Sequence, residues 1–166
     1  MGIEIERKFL IKSIPGKLSD YEHHNITQAY LCTNPVIRVR KEDKDYYMTY
    51  KGSGMLCRTE YNLPLDETSY LHMLNKADGN VISKTRYRIP LANEDINEEC
   101  LQCLNGISLT VELDIFDAPF APLVLAEIEF PNEESANAFQ MPHWFSEDVT
   151  NQKEYHNSNM SKRIFA

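Results

Sequence analysis

No run in this 166-residue sequence is apolar for long enough to cross a membrane as a helix, and charge begins at Glu4, which excludes a secretory leader of the usual kind. The chain is therefore expected in the cytoplasm. There is no internal repeat, low-complexity tract or evident linker. Positive charge is the scarcer sign, with 17 Lys and Arg against 25 Asp and Glu and a net charge of −8. That balance argues against nonspecific binding to nucleic acid or to an anionic membrane. A small anion held in a locally basic cavity stays open.

Sulfur and imidazole chemistry is thin as well. The four cysteines, Cys32, Cys57, Cys100 and Cys103, suit free thiols. Cys100 and Cys103 form a C-x-x-C, but no second C-x-x-C or H-x-x-x-H completes a zinc site and no βαβ pattern surrounds a redox one. The histidines, including the His23-His24 doublet, lack metal-ligand spacing. No serine lies in a G-x-S-x-G context and no cysteine has an evident His partner, so no side-chain nucleophile is expected. With 42% apolar and 25% charged residues, the chain reads as one globular domain over residues 1–166.

What the sequence has in abundance is strict apolar/polar alternation, the strand period. It recurs in eight segments, over residues 2–11, 25–31, 36–42, 46–52, 57–65, 81–91, 108–116 and 124–130. Helices are expected over 66–77, with Asp66 as N-cap, over the "NEESANAF" stretch, and from Asn157 onward. The 92–105 segment, ending in Asn105-Gly106, reads as an exterior excursion. Short turns between most strands make an antiparallel meander, α+β but mainly β. Two closures are possible: a sandwich whose charged stripes face water, or a barrel whose charged stripes line the lumen and whose apolar stripes face outward under helices.

The charges favour the lumen. Exposed strands usually mix signs, because like neighbours repel. Here Glu4 and Glu6, Glu112 and Asp114, and Glu127 and Glu129 form an acidic set, while Arg38, Arg40, Lys51, Arg58, Lys84, Arg86 and Arg88 form a basic one, with Lys8 beside the first acids. Any one pair is ordinary on a solvated strand. The coincidence across six or more strands suits a chain of phosphates: arginine forks bind phosphate oxygens, and carboxylates hold the hard cations that bridge to them.

In order, "EIERKFL", "IRVR", "TYKG", "RTEYNLPL", "KTRYRIP", "VELDIF", "AEIEF" and the tail "EDVTNQKEYHNSNMSK" resemble the CYTH superfamily, the triphosphate tunnel metalloenzymes, and most of all its compact bacterial members. The resemblance implies an eight-stranded antiparallel β-barrel with outer helices and a dependence on Mg²⁺ or Mn²⁺. It implies metal-binding roles for Glu4, Glu6, Glu127 and Glu129, with Glu112 and Asp114 near a second ion. Lys8, Arg38, Arg40, Lys51, Arg58, Lys84 and Arg86 match phosphate-contacting positions, Arg88 continues that stripe, and Lys153 lies in a tail motif that closes one mouth in relatives. Glu4, Glu6, Lys8, Asp114, Glu127 and Glu129 are the expected catalytic set. Asn62 stands where relatives often carry a second acid after Glu60, and Asp148 where Glu is usual. The implied activity is hydrolysis of tripolyphosphate or a related triphosphate. The alternatives are a class IV-type adenylate cyclase acting on ATP, a thiamine triphosphatase with Trp144 stacking at the mouth, and a non-catalytic polyphosphate or nucleotide-binding module. Monomer and homodimer both remain open.

Overall fold

The computed structural model describes residues 2–54 and 56–165. Every expected strand forms: β1 (Gly2–Ile11), β2 (Glu22–Thr33), β3 (Val36–Glu42), β4 (Asp45–Lys51), β5 (Cys57–Leu65), β6 (Asp78–Pro90), β7 (Thr110–Phe116) and β8 (Val124–Glu129). They pair antiparallel in the order β5-β4-β3-β2-β6-β7-β8-β1. β1 also pairs with β5, from Gly2 opposite Glu60 to Ile5 opposite Cys57, and this second pairing closes the barrel. A ninth strand, β9 (Phe145–Asp148), joins the far end of β1. Four residues carry too little periodicity to have announced it.

The helices are short and lie outside. Asp66 caps α1 (Glu67–Leu74) by accepting from the Ser69 amide at 2.7 Å, and Asn132 caps α3 (Glu133–Ala138) by accepting from the Ser135 amide at 2.7 Å. The expected excursion contains α2 (Glu98–Leu104), which stops at Asn105 in the left-handed region, φ 50°. It is more than an excursion, because Ile96, Cys100 and Leu104 pack over the barrel with Ala136 and Phe139. Tail helix α4 spans Asn157–Met160.

Side-chain polarity is inverted, as the charge pattern requires. The outward residues Ile5, Phe9, Val111, Leu113, Ala126 and Ile128 form the largest apolar cluster, roofed by α2, α3 and the Phe139–Phe145 segment. Ala29 and Val39 are covered by Tyr70 of α1. The inward residues include Lys8, Gln28, Arg38, Lys84, Asp114 and Glu127, all buried.

One difference from the sequence reading is that the inward stripes turn apolar at one end. Leu10, Val36, Ile82, Phe116 and Leu125 gather there around Tyr30, joined by Phe120, Val149 and Met160. A seal of this kind avoids stranding charge where neither water nor a counter-ion can reach it. The tail is strapped across the seal. The Val149 amide donates to the Lys8 carbonyl (2.9 Å), and the Asn80 amide donates to the Ser161 carbonyl (2.6 Å). Gly79, at φ +72°, permits that last approach, since a Cβ there would sit 2.2 Å from the Ser161 oxygen. Among the described residues no helix is long and apolar enough to cross a membrane.

Candidate active site

Strand pairing puts the acids side by side. Glu6 lies opposite Glu129 on the β1–β8 ladder, and Glu127 lies opposite Glu112 on the β8–β7 ladder. The cations come from β3, β4, β5 and β6, with Lys8 on β1. They do not form a wall held apart from the acids. Lys8 binds Glu127 and also Glu6 (2.6 Å). Lys51 reaches Glu4 and Glu60, each at 2.7 Å, while Arg58 donates to Glu4 at 2.8 Å. Arg86 forks onto Asp114 with two 2.7 Å bonds, touches Glu127 at 2.6 Å and also binds Glu112. Lys84 binds Asp114, both side chains being fully buried. The lumen thus neutralises much of its own charge, which a reading by sign along each strand could not show.

Arg38, Glu129 and the exposed Arg88 form no ion pair among the described residues. Arg38, only 5% exposed, donates through Nη2 to the Thr49 hydroxyl (3.0 Å), but its Nε has no partner and it forms no ion pair among the described residues. Burial, then its neighbour Arg40, pull its pKa down. Glu129, exposed at the mouth, also forms no ion pair among the described residues, and partial burial followed by Glu4, Glu112 and Glu6 push its carboxyl up. At Glu127 the pairs win, and at Lys84 burial does. Burial pushes Glu127 up, but Lys8, Lys84 and Arg86 outweigh it and hold the carboxyl well below its ordinary range. Burial drives Lys84 down, Asp114 opposes it and Arg86 adds to it, which leaves the ammonium at about 8. Arg40 donates to Gln28 Oε1 through Nε (3.0 Å) and Nη2 (2.8 Å) and to the Tyr47 hydroxyl (3.1 Å), with Glu42 as a longer ion-pair partner at 3.6 Å.

Lys8, Arg38, Lys51 and Arg58 line one small cavity with Glu6 and Glu127, about 30 Å³ in volume. That is room for a water or two, so a larger ligand must part the ion pairs. Arg88 and Glu129 sit at an open mouth with Glu112, and Lys153 lies on an exposed rim near Arg58. Sequence reasoning missed Gln28, Tyr30 and the tail residues His156, Asn157 and Ser158, which line the lumen or its cavity. The neutral polar positions carry no charge pattern, and the tail has no strand period. Trp144 is a packing residue: it is buried on the outside of the barrel, edge-on to Phe145 (4.4 Å between ring centroids), because its large apolar surface completes the core under the helices. It cannot stack on a ligand at the mouth. Cys100, the buried member of the C-x-x-C, donates to the Ser135 carbonyl at 3.4 Å.

A closed antiparallel barrel with ionised side chains converging on its axis defines a polyanion tunnel. The model of the CYTH domain matches residues 2–153, and the chain belongs to that family. It is 35% identical over 166 residues to the inorganic triphosphatase of Nitrosomonas europaea, covering 97% of this chain and 98% of that protein. A second inorganic triphosphatase, from Acetivibrio thermocellus, is 28% identical over 171 residues, with 99% and 97% covered. A solved inorganic triphosphatase superposes with TM-score 0.69 at 32% identity, over 99% of this chain and 97% of that one. A Pyrococcus furiosus protein, 19% identical with TM-score 0.53, shares the fold.

Triphosphatases of this family are metal-dependent as a group. Among the described residues no three Asp, Glu, His or Cys side chains stand ready as a metal site. The donor chemistry nevertheless fits a hard divalent cation. Glu129 forms no ion pair among the described residues and is crowded by Glu4, Glu112 and Glu6, which a charge of +2 there would relieve.

Proposed function

We propose that this chain, acting as one tunnel domain, is a Mg²⁺- or Mn²⁺-dependent hydrolase that removes a terminal phosphate from inorganic tripolyphosphate. One observation carries the reading: among the described residues the same lumen holds a buried guanidinium with no ion pair, Arg38, and a carboxylate with no ion pair, Glu129. The first calls for an anion and the second for a cation. A polyphosphate carrying its metal supplies both. The full-length likeness to two inorganic triphosphatases supports the choice of substrate.

Glu129, with Glu4, Glu6 and Glu112, would hold the ion. When bound it supplies Lewis-acid polarisation of phosphoryl oxygens and of water. Arg38, Lys51 and Arg58 bind and orient the phosphate chain from the cavity wall. Lys8 and Arg86 leave their carboxylates for phosphate oxygens as charge builds on the leaving group. Asp114 and Glu127 keep Lys84, Lys8 and Arg86 aimed inward, and they become available to a second ion only as those cations move to the substrate. Enclosure by the barrel excludes bulk water from the reacting phosphorus. The free thiols of Cys32, Cys57, Cys100 and Cys103 support a reducing compartment, the cytoplasm.

The test is phosphate release from tripolyphosphate, thiamine triphosphate and ATP, with and without Mg²⁺ or Mn²⁺, and with cyclic AMP assayed in parallel. Metal-dependent release from tripolyphosphate without cyclic AMP is the expected result. Saturable binding with no release, or cyclic AMP from ATP, would overturn the proposal.

A further inference from the structure

The cavity at Arg38 is separated from a much larger groove by Val36, Arg58, His156 and Ser158, which line both. The groove, about 770 Å³, lies between the Thr33–Pro35 turn, the Gly52–Gly54 turn and the tail. In a chain of net charge −8, no Asp or Glu among the described residues lines it, while Arg58, Lys153 and Lys162 do. Lys153 and Lys162 form no ion pair among the described residues, and both are exposed. At the other end of β3, and at the mouth where Glu112 and Glu129 stand, the surface carries carboxylates instead, including Glu42 and Asp45. That mouth carries Arg88 beside its carboxylates, and Lys44 lies beside Asp45, whereas the groove is lined by cations with no carboxylate among the described residues.

We propose that the groove beside the tail is the encounter site for the polyanion, and that Lys162, with Lys153, steers phosphate chains into it before they pass Arg58 and His156 to the cavity. The inference rests on the reading of the lumen as a polyphosphate site and adds the route of entry. A field of this kind raises association rates by one to three orders of magnitude and leaves the chemical step alone. An anion approaching the other mouth would meet Glu112 and Glu129 as well as Arg88, whereas the groove offers it cations alone. The metal-binding acids are thus placed ahead of the incoming chain and out of its path. Lys162 lies beside the Ser161 carbonyl that Asn80 holds, so its stem starts from a fixed point on the tail.

The experiment compares two substitutions of equal charge change at opposite ends, Lys162→Glu in the groove and Lys44→Glu in the β3–β4 turn. Stopped-flow association of tripolyphosphate is read by intrinsic fluorescence, with kcat/KM and kcat measured alongside and thermal midpoints as the check on folding. Lys162→Glu should slow association and lower kcat/KM by about fivefold at low ionic strength, with kcat unchanged and the deficit fading as salt shortens the screening length. Lys44→Glu should change neither. Lys162→Gln should give a smaller deficit of the same kind, which separates charge from folding. Equal rates for Lys162→Glu and wild type, or a deficit in Lys44→Glu alone, would overturn the route of entry. Wild type that binds tripolyphosphate without cleaving it would sink the hydrolase reading and leave the association rates to judge the steering. Wild type that does not bind tripolyphosphate overturns both.

Discussion

Replacing Arg38 by Met should make the protein more stable and a worse enzyme. Arg38 is buried with an unpartnered Nε and no carboxylate, and burial and Arg40 both disfavour its charge. An unsatisfied buried donor costs about 1–3 kcal/mol. The hydrogen bond to Thr49 that would be lost returns part of that gain, but the Thr49 hydroxyl keeps its own bond to Asn62 at 2.7 Å. The net gain is about 1 kcal/mol, or roughly 2–4 °C in midpoint for a chain of this size. Against this, removing a charge-assisted bond to phosphate costs about 1.5–3 kcal/mol of binding, or about 10–150-fold in KM. Thermal unfolding and tripolyphosphate kinetics on the same preparation decide the matter. A midpoint that falls by several degrees while KM stays at the wild-type value would refute the reasoning, because Arg38 would then be serving the fold rather than an anion.

Glu129→Gln should weaken Mg²⁺ binding in calorimetry and raise the midpoint at neutral pH. The wild-type carboxyl is raised in the folded state, so the fold loses stability as pH climbs from the ordinary value of 4.5 through the folded one, and the gap between variant and wild type should close again near that lower pH. Lys84 has the opposite sign: its folded value of about 8 lies below the unbound 10.5, so the unfolded chain holds the extra proton between them. Stability attributable to Lys84 should therefore rise with pH across that window, and denaturant melts of Lys84→Met should lack the rise. Gly79→Ala should loosen the tail, since its Cβ would meet the Ser161 carbonyl and φ is +72°. A loss of about 1–3 kcal/mol and faster proteolysis within 149–163 are expected.

Alternation located β1 to β8, because most of those strands separate an outer greasy face from an inner ionised one, as at Ile37-Arg38-Val39-Arg40, while β2 alternates with neutral Gln28 and Tyr30 inside. It also named the cations and acids that the lumen brings together. It could not foresee the plug, since Ile82 and Phe116 occupy inward positions in stripes that are otherwise charged, and the change of polarity depends on where the barrel ends. Nor could it assign counter-ions. Arg86 meets Asp114 through the β6–β7 register but Glu127 only across an intervening strand. Trp144 was open between packing and stacking at the mouth, because a lone aromatic says nothing of which side of a barrel it packs on. His156 and Asn157 were silent because their place depends on a latch at Gly79, some eighty residues earlier in the chain.

β1 is the seam of the barrel, bonded to β8 and β9 along part of its length and to β5 along the rest. It also carries Glu4, Glu6 and Lys8. Zipping that seam and assembling these lumenal charges are therefore a single event, and on the proposed reading a partly opened cylinder is inert. Ligand that binds only the zipped form pulls the equilibrium toward it by mass action, so the substrate acts as a fastener for the very edge that its own turnover depends on.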